Sequence, residues 1–149
     1  MREIRVVGRT TRIASPAYVY LPPEYFQARH RARTFPAAVV LTGHPGTASA
    51  LVDELRCPRT AFALAEAGRM RPMILVMLRP TVAPPRDTEC VDVPGGPRTE
   101  SFFAKDLPEA VSAHYRVDKG RGSRGVVGNS TGGYCALKLA VHHPGATRG

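Results

Sequence analysis

Gly125-Val126-Val127-Gly128-Asn129-Ser130-Thr131-Gly132-Gly133 is the stretch on which the reading of this 149-residue chain turns. Val126-Val127 is a short β-branched run. Thr131 to His143 has the pattern of a helix, closed by Pro144 and Gly145. Between them lies Gly128-x-Ser130-x-Gly132. A serine held on so sharp a turn projects its hydroxyl above the end of the strand. Glycines two before and two after it let strand and helix approach closely. The helix also aims its free first-turn amides and its partial positive charge at the same spot. A bare G-x-S-x-G arises by chance, and the strand before it and the helix after it give it weight.

Working outward, Ala37 to Leu41 and Met73 to Leu78 are short apolar runs without alternation, as in strands covered on both faces. Ala48 to Leu55 and Thr60 to Ala67 read as helices, the second closed by Gly68. Thr99 to Tyr115 reads as another helix, kinked or restarted at Pro108. Nearer the N-terminus, Ile4 to Val7, Thr10 to Ala14 and Ala17 to Leu21 read as strands, the first two flanking Gly8. Gln27 to Thr34 is a polar surface connection. Arg79 to Arg98 is a loop of about twenty residues, a length that is uncommon without a functional reason. Alternating buried strands and helices predict an α/β fold. The sheet is mostly parallel, with helices on both faces and an antiparallel N-terminal hairpin. The whole of 1–149 reads as one domain, with no internal repeat.

The pattern points to acyl transfer. Ser130 is the candidate nucleophile, with Gly128 and Gly132 shaping its turn. Two backbone amides must face the carbonyl oxygen, one from the residue after the serine and one from the loop after the Ala37–Leu41 strand. Thr131 supplies the first and His44 the second. The His44 imidazole makes a poor general base, because it precedes the serine in the chain. Gly43-His44-Pro45-Gly46-Thr47 lacks the lysine of a P-loop, and no G-x-G-x-x-G follows a strand. Asp87, Glu89 and Asp92 form a solvated acidic loop without a neighbouring histidine, so no metal site and no cofactor is expected.

The net charge of +9 comes from 21 Lys and Arg against 12 Asp and Glu, mostly arginine. Such a balance raises nucleic acid or anionic membrane as partners. No aromatic residues interleave the basic ones, so a solvated basic surface is expected and nucleic-acid binding is not. Hydrophobic content of 43% excludes disorder as the default. No apolar run approaches the roughly 18 residues of a membrane span. Met1 to Arg5 has no signal-peptide core, so the chain as encoded is expected in the cytoplasm. Cys57 and Cys90 are a candidate disulfide, whereas Cys135 reads as a buried thiol on the helix after Ser130.

Four stretches carry a resemblance to the putative-esterase family of α/β-hydrolases. They are Ala17-Tyr18-Val19-Tyr20-Leu21-Pro22-Pro23-Glu24-Tyr25, the Leu41-Thr42-Gly43 turn, Thr99-Glu100-Ser101-Phe102-Phe103-Ala104-Lys105-Asp106-Leu107-Pro108, and Gly125 to Gly133. That family includes S-formylglutathione hydrolases of the esterase D type, feruloyl-type esterases and mycolyltransferases. The resemblance implies a serine esterase acting through an acyl-enzyme on Ser130. Its substrate would be a small acyl ester or thioester, without a cofactor. It also implies that full-length relatives can be exported or membrane-tethered.

The departure lies after Ser130. These hydrolases place the acid and then the histidine downstream of the serine. Here no Asp or Glu follows Ser130. His142 lies about 18 Å along the helix, and His142 and His143 read as polar residues at a helix C-terminus. The expectation is therefore the N-terminal half of such an enzyme, truncated and inactive alone, with Ala146-Thr147-Arg148-Gly149 an arbitrary stop. The strand ending at Gly128 would then have an open edge and favour self-association. The rival readings are a non-catalytic α/β binding module and a basic nucleic-acid-binding protein.

Overall fold

A computed structural model describes residues 1–120 and 122–145, so the terminal stretch just named lies outside the described residues. Five strands form one mixed sheet: β1 (Arg2–Val7), β2 (Ala14–Tyr20), β3 (Ala37–Leu41), β4 (Ile74–Leu78) and β5 (Arg124–Gly128). Their spatial order is β1-β2-β4-β3-β5. β1 with β2 and β2 with β4 are antiparallel, whereas β4, β3 and β5 run parallel. The expected hairpin is present, with one difference. Arg9 to Thr11 is turn, Arg12 and Ile13 belong to neither strand, and a single strand runs through Pro16 from Ala14 to Tyr20.

Side-chain alternation assigns the two faces. Ala17, Val19, Leu41, Ile74, Val76 and Leu78 enter one core, with Phe102, Leu107, Cys135 and Leu139 of the later helices. Val40, Leu75 and Met77 face the other way, onto Leu51 of α1 (Ala48–Asp53) and Ala61 of α2 (Cys57–Glu66). All five residues of β4 are therefore buried, as its continuous apolar run requires.

The expected Thr99–Tyr115 helix is a composite. It consists of α3 (Thr99–Ser101), a π-helical turn over Phe102–Asp106, and α4 (Leu107–His114). Pro108 stands in the first turn of α4, where its missing N–H breaks no ladder. The wide turn buries Asp106, which accepts hydrogen bonds from the Thr10 and Thr11 amides and the Thr11 hydroxyl. Burial alone would raise the pKa of this carboxylate. Those hydrogen bonds outweigh it and hold the pKa below its ordinary value.

Gln27 to Thr34 is a surface connection with one short 3-10 turn, Ala28–His30, following another at Pro23–Phe26. It is pinned by Arg116, whose guanidinium donates to the carbonyls of Tyr25, His30 and Arg31 and stacks on the Tyr25 ring.

Candidate active site

The register of the central strands builds the site. β3 pairs with β5 so that Val39 faces Val126, Val40 faces Val127 and Leu41 faces Gly128. Both strands end at the same level and side by side. Their following turns, Thr42-Gly43-His44 and Asn129-Ser130-Thr131, therefore emerge together. The chain leaves β3 toward β4 on one side, and it enters β5 on the other side of β3. The carboxyl ends of parallel strands at such a reversal are where ligands bind in open α/β sheets.

Ser130 is exposed and has φ 52° and ψ −127°, a strained conformation for a residue with a side chain. It caps α5 (Thr131–His142). The glycines make this turn sterically possible. A Cβ on Gly128 would lie 2.4 Å from the Gly132 carbonyl carbon and oxygen. A Cβ on Gly132 would lie 2.5 Å from the Leu41 carbonyl oxygen and 2.6 Å from that of Thr42. The turn after β3 is as close, because a Cβ on Gly43 would meet the Ser130 Cβ at 2.9 Å. Asn129 N–H donates to the Leu41 carbonyl at 3.2 Å, tying the two turns together.

Ser130, Thr131 and His44 are thus brought into one cluster, with one departure from expectation. The His44 amide donates to Thr131 Oγ1 at 2.7 Å and does not stand open. A backbone N–H is paired by the acceptor nearest to it. The threonine hydroxyl, placed by α5, is that acceptor. The His44 ring is occupied elsewhere, with Nδ1 3.3 Å from Thr81 Oγ1.

His142 and His143 are more than polar residues at a helix end. His142 Nδ1 and His143 Nε2 each lie 2.9 Å from Glu100 Oε1, joining the end of α5 to α3. Burial raises the Glu100 pKa, but hydrogen bonding and charge from the two imidazoles bring it below the usual carboxylate range.

The cysteine expectation is corrected. Cys90 is bonded to Cys135, and Cys57 is the free thiol. Cys57 opens α2 on one face of the sheet, whereas Cys135 points from α5 into the core of the other. Cys90 belongs to that second core, so the loop reaches α5 and not α2. The long loop is not structureless, since it carries small bridges pairing Ala83 with Arg86 and Asp92 with Arg98. Among the described residues, no group of three or more His, Cys, Asp or Glu is placed to hold a metal ion, and no helix is long and apolar enough to cross a membrane.

A mixed sheet of this order, with a serine on a strained strand–turn–helix at its carboxyl edge, defines an α/β-hydrolase type of fold. Residues 10–146 match the family described as "Putative esterase", and the chain belongs to that family. Among solved structures, a ferulic acid esterase superposes with a TM-score of 0.83 at 20% identity. The match covers 98% of this chain and 56% of that one. A ferulic acid esterase from Anaeromyces mucronatus, solved with ferulic acid, matches at TM-score 0.76 and 17% identity, over 98% of this chain and 54% of that one. An S-formylglutathione hydrolase from Agrobacterium tumefaciens matches at 0.73 and 18%, over 97% and 54%. The chain thus spans a little over half the length of these relatives. No curated protein matches the sequence.

Proposed function

We propose that this chain carries the nucleophile and oxyanion hole of a serine esterase, with Ser130 forming an acyl-enzyme. The observation that carries the reading is the convergence of the β3 turn on Ser130, with Gly43 against its Cβ and His44 beside Thr131. Ser130 Oγ attacks the carbonyl carbon of a small acyl ester or thioester as its proton passes to a base, and the ester C–O or thioester C–S bond then breaks, the alcohol or thiol leaving with that proton. Negative charge develops on the carbonyl oxygen between the amides of His44 and Thr131. For that, His44 N–H exchanges Thr131 Oγ1 for the oxyanion, a change that one side-chain rotation of Thr131 allows.

The base and its acid are not among these residues in this reading. No Asp or Glu follows Ser130, His142 and His143 are held by Glu100, and the His44 ring by Thr81. A partner segment carrying the rest of the fold would supply them. The 149 residues alone are then inactive. Ser130 stays a neutral alcohol without a proton acceptor, and loss of the histidine from a comparable triad costs roughly a million-fold in turnover.

The test is p-nitrophenyl acetate turnover by three proteins: the chain, its Ser130→Ala variant, and a version extended by the downstream reading frame. Turnover is expected only in the extended protein and is abolished there by Ser130→Ala. Turnover that survives Ser130→Ala overturns the assignment.

A further inference from the structure

The Arg79–Arg98 loop runs beside the candidate site and is fastened around it. Thr81 meets the His44 ring at one end. At the other, Asp92 accepts hydrogen bonds from the Ser101 amide at 2.9 Å and its hydroxyl at 2.5 Å. The middle, Pro84 to Asp87, is exposed. Between the exposed stretch and Asp92 the loop turns inward at Glu89 and Cys90. Both are in left-handed conformations, with φ 48° and 59°. Two successive side-chain-bearing residues hold that conformation only when something fixes them. The pair is the centre of a turn closed by the Val91 amide on the Thr88 carbonyl at 3.1 Å, and α5 fastens that turn: Lys138 Nζ donates to the Glu89 carbonyl at 2.7 Å, and Cys135 is bonded to Cys90. Cys135 lies five residues after Ser130, about 7.5 Å along the same helix.

We propose that the Cys90–Cys135 disulfide is an assembly clasp. It locks the Arg79–Arg98 loop to the helix that carries Ser130, so that loop and helix form one body, and it commits the chain to maturing where thiols are oxidised. That this body walls the substrate cleft rests on the esterase reading above, whereas the clasp itself does not. To close it, the two cysteine thiols give two electrons and two protons to a small-molecule disulfide such as oxidised glutathione. One sulfur–sulfur bond forms in the protein and two glutathione thiols leave. Both sulfurs belong to residues only 1% exposed, so an external thiolate reaches them only when the loop opens. The bond is then a structural one, formed during folding in an oxidising compartment.

The test uses the full chain refolded with oxidised glutathione. Maleimide mass-tagging in non-reducing denaturant should add one tag, on Cys57, and none to a Cys57→Ser variant. Two tags on that variant overturn the proposal. Trypsin cleavage after Arg86 should then be about tenfold faster in the Cys90→Ser variant, with cleavage after Arg59 in α2 unchanged. Equal rates after Arg86 in both proteins overturn the clasp. If Cys90→Ser loses the whole fold, the tag count on Cys57→Ser still decides the matter. A closed clasp in an extended protein without Ser130-dependent turnover would remove the esterase reading and leave the clasp intact.

Discussion

β4 and β5 flank the same strand, and both are short apolar runs, yet their surroundings differ. β4 lies between β2 and β3 with helices on both faces, and each of its residues is buried. Among the described residues β5 pairs with β3 alone, and none of its residues is fully buried. Val126 faces the helical core, but Val127, on the α1–α2 face, is 55% exposed. α5 repeats the contrast. Cys135, Ala136 and Leu139 point inward, while Leu137 and Val141 stand 64% and 66% exposed. A cavity of about 40 Å³ lies between β3, β5, α4 and α5 on this same side. The scaffold is therefore closed around β4 and open along β5, the strand that leads into Ser130.

The sharpest way to break this comparison is at the glycines that join the two sides. Gly132→Val puts a side chain against two backbone carbonyls that cannot yield. The expected loss is more than about 4 kcal/mol, enough to unfold the chain in urea titrations. Gly68 is the control. Its φ is +66° with nothing within 4 Å, so Gly68→Ala should cost only about 1 kcal/mol of left-handed strain. Equal effects at the two positions would mean that the β3–β5 junction is not close-packed.

The next effect belongs to the disulfide, which closes a segment of 45 residues containing α3, α4, β5 and Ser130. Loop-closure entropy for a ring of that size gives about 4 kcal/mol. Reduction should therefore shift the urea midpoint strongly, and it should expose the open side before the β1–β2–β4 side. Hydrogen exchange resolved by segment would show β5 and α5 amides losing protection first.

What the sequence could disclose follows the same division. Local patterns locate β3, β4 and β5 within a residue or two, and the G-x-S-x-G spacing puts Ser130 on the turn. Those features are written in consecutive residues. The Cys90–Cys135 bond, the Glu100 contacts of His142 and His143, and the His44–Thr131 hydrogen bond join residues 42 to 87 positions apart. No periodicity encodes such pairs. The nearest signal is the inward spacing of Cys135, Ala136 and Leu139, which places Cys135 in the core without naming its partner. Nor can a β-branched run report how many neighbours it has. Val126-Val127 reads as doubly buried because its residue types are those of β4, and its place at the end of the sheet is what leaves Val127 exposed.

A smaller effect, on the closed side, comes from Asp106, only 2% exposed and bonded to the turn between β1 and β2. Its folded pKa is depressed, so its contribution to stability is whole above the unfolded value of about 3.9. That contribution is lost as the pH falls through the folded value. Asp106→Asn should cost about 2 kcal/mol at pH 7 and flatten the acid limb of the stability curve, measured by thermal melts between pH 2 and 7. An unchanged acid limb would assign the acid sensitivity to another group. Glu100 is the first alternative, because its pKa is lowered in the same direction.

The smallest effect on stability tests the open side directly. An edge strand offers a row of unpaired N–H and C=O groups, and β5 adds the exposed Val127 beside them, with Leu137 and Val141 on α5. The chain without a partner segment should self-associate through this edge, giving sedimentation coefficients that rise with protein concentration. A charge at an edge blocks such pairing without disturbing a packed core. Val127→Lys should therefore restore the monomer while changing the unfolding free energy by no more than about 0.5 kcal/mol, because the side chain it replaces is already more than half in water. Leu75→Lys, in a buried position of β4, is the matched control and should unfold the chain. A wild-type chain that sediments as a single monomer at every concentration would remove the distinction, since β5 would then be a protected edge in its own right. Association that persists in Val127→Lys but disappears in Leu137→Lys would move the contact from the strand edge to the outer face of α5.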